Sequence, residues 1–177
     1  LKLELHSAVT TKLESTEICI HDTVTNTSDT VAEFQLLYHI NFGTPILEAG
    51  AEVFAPVKTL VPRTHRAEQG VAEWSKIAAP ETGYLEQVYF MELLGNADGK
   101  SQVLLRNAAG TLGVSVHFNL TQLPCFTFWK NTASLRDGYV VGLEPGTNFP
   151  NPRSYEQSQG RVETLQPGES REFDLRL

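Results

Sequence analysis

The sequence predicts an all-β fold, an antiparallel β-sandwich, on three observations. Apolar residues recur at every second position through most of the chain. Clusters of turn formers interrupt these runs at short intervals. Strands joined by tight turns must run antiparallel, because a parallel return needs a long crossover.

The elements follow in chain order. The opening "LKLELHSAVTTKLE" alternates and forms no apolar signal-peptide core. "TEICIHDTVTN" sets Ile18 and Ile20 against Cys19 and His21, and "TNTSD" ends it. "EFQLLYHINF" reads as one strand with Phe34, Leu36, Tyr38, Ile40 and Phe42 on one face and Gln35, Leu37, His39 and Asn41 on the other. The long connection "VPRTHRAEQGVAEWSKIAAPETG" is expected to carry a short helical turn in "RAEQGVAEWSK" and to help build a binding rim. "YLEQVYFMEL", "VSVHFNL", "FTFWKN" and "VVGLEPG" are further strands, separated by the turns "NADGK", "RNAAG" and "LRDG". "EPGTNFPNPRSYEQSQG" is a second long connection, and "QPGES" precedes the last strand. No repeat, low-complexity stretch or linker divides the 177 residues, which read as one domain with no internal boundary.

Composition narrows the function. Fourteen basic against 21 acidic side chains leave a formal net charge of −7, which disfavours a non-specific grip on nucleic acid or anionic lipid. No apolar run approaches the roughly 20 residues of a membrane span, so the expectation is a cytoplasmic chain with neither nucleic-acid nor membrane partner. Cys19 and Cys125 stand far apart without metal-ligand spacing and are expected to be reduced core thiols. The five histidines show no ligand spacing, and no Gly-rich phosphate loop or G-x-S-x-G elbow is present. The expectation is no metal and no cofactor.

What remains is a set of polar residues on apolar strands: His39, Glu86, His117, Lys130 and Glu144. Alternation leaves a solvated strand face as the plain reading of each. His39 stands out because it lies between Tyr38 and Ile40. Glu144 stands out because Gly142, on its own face, leaves room for something to approach.

"LLYHINFG" resembles the strand of aldose 1-epimerases (galactose mutarotases) that carries a histidine acid, and "GLEPGTNFPN" resembles their E-x-x-NFP strand end with the glutamate base. "IHDTVTNTSD" before the first and "LQPGESREFDL" at the close fit the same order. "EQVYF", "QLP" with a later "WK", and "GLEP" resemble a poorly characterised branch of that superfamily.

The resemblance implies a galactose mutarotase-like sandwich of the supersandwich type, incomplete in this chain. Residues 1–177 would correspond to the later half of a family member, with an N-terminal segment or second chain completing the sheet. Leu1 and a single methionine, Met91, agree with a piece of a longer polypeptide. It further implies an isomerase that interconverts the anomers of a free sugar, with His39 as general acid, Glu144 as general base and Glu86 as an acidic sugar ligand. Gln87 and Lys130 are placed near the sugar on the same grounds. Two rivals stand beside it: a non-catalytic carbohydrate-binding or regulatory module on the same scaffold, and isomerisation of a sugar or its phosphate, for which Arg63 and Arg66 are the local anion ligands.

Overall fold

The computed structural model describes residues 2–177, leaving Leu1 outside the described residues. Thirteen strands, two short helices and one 3-10 turn make up those residues. A six-stranded sheet runs in the order β1 (Leu3–Thr11), β2 (Ile18–Asn26), β13 (Ser170–Arg176), β9 (Gly113–Asn119), β8 (Lys100–Arg106), β5 (Glu52–Phe54). A five-stranded sheet packs against it in the order β4 (Ile40–Phe42), β11 (Tyr139–Gly146), β10 (Cys125–Thr132), β7 (Gln87–Leu93), β6 (Val57–Pro62). A small third sheet pairs β12 (Glu163–Leu165) with β3 (Ala32–Phe34). All of these strand pairings are antiparallel, and each of the five turn signals falls between strands.

Because side chains alternate faces, each strand of the five-stranded sheet gives one set of residues to the core and the other to the outside. Val141 and Leu143 of β11, Phe126 and Phe128 of β10, and Tyr89 and Met91 of β7 share the inner face through their cross-strand registers. They meet Val116 and Phe118 of β9 and Phe173 and Leu175 of β13, all buried. Phe118 and Phe126 stack across the two sheets with ring centroids 5.9 Å apart.

The run "EFQLLYHINF" is two short strands, not one. Its first part, β3, pairs with β12, and its second, β4, pairs with β11. The chain bends between them because its backbone turns from one sheet to the other. Leu36 and Thr147 exchange hydrogen bonds, the Tyr38 amide donates to Pro145 O (3.0 Å), and Leu37 bridges Gly146. The Tyr38 hydroxyl reaches inward to Asp22 Oδ2 at 2.7 Å, tying this segment to the opposite sheet. Burial, reinforced by that carboxylate, pushes the Tyr38 phenol well above its ordinary pKa.

The long connection after β6 holds α1 (His65–Glu68), capped by Thr64, and a 3-10 turn at Val71–Glu73, in agreement with the expected helical turn. It lies against the inner face of the five-stranded sheet, where buried polar side chains fasten it. Gln87 Nε2 donates to Arg66 O (3.1 Å) and its Oε1 accepts from Tyr84 (2.6 Å). Lys130 Nζ donates to Glu73 O (3.0 Å) and Lys76 O (2.8 Å), and Tyr139 donates to Ala78 O (2.6 Å). Of the two unpaired cysteines, Cys125 is buried as expected. Cys19 is only half-buried, since it shares with His21 the side of β2 that faces away from Asp22 and Val24.

Lys130 is therefore a strut. Burial lowers its pKa to about 8 despite the opposing charge of Glu73. Replacing Lys130 by Met keeps the stem, leaves Lys76 O without its donor and leaves Glu73 O with the Lys76 amide alone (3.2 Å), a loss of about 1–3 kcal/mol. Urea unfolding at pH 7 should show that loss in the midpoint with the slope unchanged. A Lys130→Met protein as stable as the wild type would mean that the ammonium does not hold the segment.

Candidate active site

The outer face of the five-stranded sheet carries two cross-strand rows. In one, Asn41, Gly142, Trp129 and Val88 stand opposite one another on β4, β11, β10 and β7. The neighbouring row contains Glu144, Thr127, Phe90 and, on β6, Val61. Continuing the β4–β11 register two residues back from Asn41 puts His39 opposite Glu144. The Leu37–Gly146 bridge lies on the same register. Tyr38 points inward to Asp22, so its neighbour His39 points outward.

His39 Nε2 stands 3.1 Å from Glu144 Oε1. The imidazole is half exposed, whereas the Glu144 side chain is only 3% exposed. His39 Nδ1 is 2.9 Å from Asn41 Oδ1, an oxygen that can only accept, so Nδ1 carries a proton and Nε2 is the nitrogen left to exchange one with the carboxylate. The His39–Glu144 approach is close enough for charge attraction but is not directed along a hydrogen bond, so Oε1 is buried without a hydrogen-bond donor. Its cross-strand neighbour, the Thr127 hydroxyl, is likewise buried and unpartnered. Two adjacent orphan polar groups on one face are costly for folding alone.

Burial pushes the Glu144 carboxyl up to about 7. The charge of His39 works against that rise and Glu86 adds to it. The space at Gly142 that the sequence suggested for an incoming group is occupied by Glu144 itself. A Cβ on Gly142 would collide with the Glu144 carboxylate, so only glycine lets this side chain fold flat over its own strand.

Trp129 forms the side wall. Its ring meets His39 edge to face, with centroids 5.4 Å apart at 64°, and its Nε1 donates to Glu86 Oε2 at 2.7 Å. Glu86 thus borders the site while holding the tryptophan. Gln87 and Lys130 are not brought to this face. They share the inner face with Phe128 and Tyr89 and are committed to the loop contacts described above. Arg63 and Arg66 do not converge either. Arg63 lines a cleft on the outer face, and Arg66 lines one beside Lys130 and Gln87 on the inner face. Asn41, Thr127 and Trp129 were not singled out from the sequence, although Asn41 lies on the His39 side of its alternating run. No group of three or more histidine, cysteine or carboxylate side chains able to hold a metal ion occurs among the described residues.

A family model matches residues 1–177 in full. The chain belongs to that family, described as Domain of unknown function (DUF4432). Among solved structures, a protein of Klebsiella pneumoniae subsp. pneumoniae provisionally named an aldose 1-epimerase is 37% identical, with a TM-score of 0.95 over 98% of this chain. The chain spans 45% of that protein's length. A galactose mutarotase-like protein from Clostridium acetobutylicum, at 16% identity and TM-score 0.62, shares the fold over 98% of this chain and 61% of its own. So does a provisionally named aldose 1-epimerase from Escherichia coli K12, at 14% identity and TM-score 0.65, with 59% of its own chain covered. The DUF4432 chain thus has the galactose mutarotase-like β-sandwich fold. A comparison with curated proteins finds no match.

The raised pKa of Glu144 has a consequence independent of function. Between about pH 4.5 and 7 the folded chain retains a proton that the unfolded chain has released, so this group's contribution to stability falls as pH rises through that window. The change is on the order of 3 kcal/mol. Glu144→Gln cannot titrate, so its stability relative to wild type should improve by that order between pH 4 and pH 8, measured by denaturant unfolding. An offset that does not change with pH would show that Glu144 titrates as an ordinary carboxylate.

Proposed function

We propose that this DUF4432 chain carries the acid–base pair of an aldose 1-epimerase, an isomerase that interconverts the α and β anomers of a free sugar. The observation that carries the proposal is the contact of half-exposed His39 with buried Glu144 on one open sheet face. Anomer exchange removes the proton from the C1 hydroxyl and protonates the ring oxygen, so that the C1–O5 bond opens, the aldehyde turns and the ring closes on its other face. Both oxygens are bonded to the same carbon. Two proton-transfer groups in mutual contact therefore suit this reaction, whereas one acting on distant atoms would need them apart.

In this reading Glu144 takes the C1 hydroxyl proton and His39 Nε2–H supplies the ring oxygen, and the roles reverse on closure. A carboxylate near pKa 7 is matched to work at neutral pH, being ionised often enough to act and basic enough to take a proton. Asn41 orients the imidazole, and Trp129 walls the ring. Glu86 acts mainly through Trp129. The Klebsiella protein's provisional name supports the same activity, but the chain spans less than half of that protein.

The proposal therefore extends to a partner. β1 presents Leu5 (56% exposed) and Val9 (65% exposed) on the side that carries Val24 of β2, so this inner surface is uncovered. A further segment of polypeptide or a second chain would cover it, consistent with residues 1–177 forming the later half of one sandwich. The two unpaired cysteines fit the reducing cytoplasm.

The test is magnetisation-exchange NMR on a panel of aldoses with the full-length protein. Wild type should accelerate exchange for at least one aldose. Glu144→Gln and His39→Asn should each lower kcat by about 10²- to 10⁴-fold with modest change in KM. The rate should fall as pH drops below about 7, because protonated Glu144 cannot act as base. Sugar binding without any acceleration would establish the carbohydrate-binding module instead.

A further inference from the structure

Glu86 and Trp129 border the candidate site, and the residues that directly follow them, Gln87 and Lys130, turn to the other side of the sheet. There, together with the segment from Arg66 to Tyr84, they line a cleft of about 450 Å³. That is within the roughly 300–1,000 Å³ of small-molecule sites. The sheet itself stands between this cleft and the His39–Glu144 pair.

The positive charges of this cleft are not matched by negative ones. Half-buried Arg66 sets its guanidinium over the Tyr84 ring, 5.5 Å from the centroid, and Tyr84 is fixed in turn by donating its hydroxyl to Gln87 Oε1 (2.6 Å). Among the described residues no carboxylate pairs with Arg66, and its guanidinium donates no hydrogen bond. Buried Lys130 commits two of its three Nζ–H donors to Glu73 O and Lys76 O, which leaves one. Lys76 and Glu73, also in the lining, neutralise each other at 2.8 Å. Exposed Glu81 is the remaining carboxylate of the lining, so two unmatched cations face one carboxylate. The cations also repel each other. Burial is the main reason that the Lys130 pKa falls to about 8, Glu73 opposes the fall, and Arg66 deepens it.

We propose that this cleft binds a small organic anion, a carboxylate or a phosphate ester, between the Arg66 guanidinium and the Lys130 ammonium. A fork of N–H donors laid flat on an aromatic ring is preorganised for the paired oxygens of either group, and the ammonium adds a point charge beside it. An anion there relieves the repulsion between the two cations and accepts the donors that the protein leaves open. The cleft is roomier than a bare inorganic ion, and buried Ile77 and the Tyr84 ring offer apolar surface to the rest of the molecule. Bound between α1 and β10, the anion would tie the covering segment to the sheet. The site does not depend on the aldose 1-epimerase reading, because none of its residues faces His39 or Glu144.

The experiment is an NMR titration of the full-length protein at pH 7 with inorganic phosphate and, separately, with acetate, each at an ionic strength held constant with sodium chloride. At least one of the two should bind saturably, with shifts concentrated at Arg66 and Lys130, and the tighter of them identifies the head group. Arg66→Met keeps an apolar stem on Tyr84 but removes the fork, and should weaken that binding about tenfold or more. Arg63→Met, at an exposed arginine of a different cleft, should leave it unaltered. The bound anion should also raise the Lys130 ammonium midpoint from about 8 by roughly one unit, because it favours the charged form while the charges of Arg66, Glu73, Lys76 and Glu81 stay as they are. A merely structural lysine would show no such rise. Shifts that never saturate with either anion, equal weakening in Arg66→Met and Arg63→Met, or a Lys130 midpoint that the anion does not move would each overturn the site.

Discussion

Desolvation of one carboxylate is the constraint on which the site depends. Glu144 lies on a strand whose inward neighbours, Val141 and Leu143, are in the core, and its own outward side chain is folded flat against Gly142. Water is largely excluded from it, and no hydrogen-bond donor replaces the water at Oε1. An isolated charge in that position would be costly. Two features make it tolerable: the neighbouring imidazole, which can carry the compensating charge, and a carboxyl pKa that has moved close to neutrality. The same features leave the group half-way between its protonation states near pH 7, the condition a reversible proton carrier requires. The cost to folding and the proposed capacity for catalysis share one cause.

The five-stranded sheet divides its polar residues between two tasks by face. Outward residues, His39, Asn41, Glu144, Thr127 and Trp129, surround the orphan polar atoms. Inward polar residues, Gln87, Lys130 and Tyr139, bind main-chain carbonyls of the segment from Arg66 to Ala78. That segment closes over one end of the inner face, with Trp74 set edge to face on Phe128 at 5.9 Å. The inner struts stiffen β7, β10 and β11, the strands that hold the outer rows in register, so the two tasks are coupled through the sheet.

Much of this was legible in the sequence, and the part that was not has an identifiable reason. Period-two alternation marks faces, so His39 and Asn41 are correctly set opposite Tyr38 and Ile40 within one run. Alternation does not say which face turns inward when both carry polar and aromatic residues. In "FTFWKN" the lysine attracts notice as the charged residue, yet its ammonium is buried against carbonyls while the adjacent tryptophan reaches the candidate site. One residue of parity separates a strut from a site wall. The division of "EFQLLYHINF" between two sheets was hidden because its alternation continues unbroken through the bend, and only the long-range Leu36–Thr147 and Tyr38–Asp22 bonds reveal it. The row from Glu144 to Val61 is likewise a product of strand register across four separate segments, which local pattern does not encode.

Burial makes Glu144 a desolvated carboxyl poised near neutral pH. The most direct measurement is a ¹³C NMR titration of its side-chain carboxyl carbon in the full-length protein from pH 4 to 9, assigned by the resonance lost in Glu144→Gln. The structure predicts a midpoint near 7, well above the ordinary value of 4.5. A midpoint below about 5 would place Glu144 among ordinary solvated carboxylates and contradict the account.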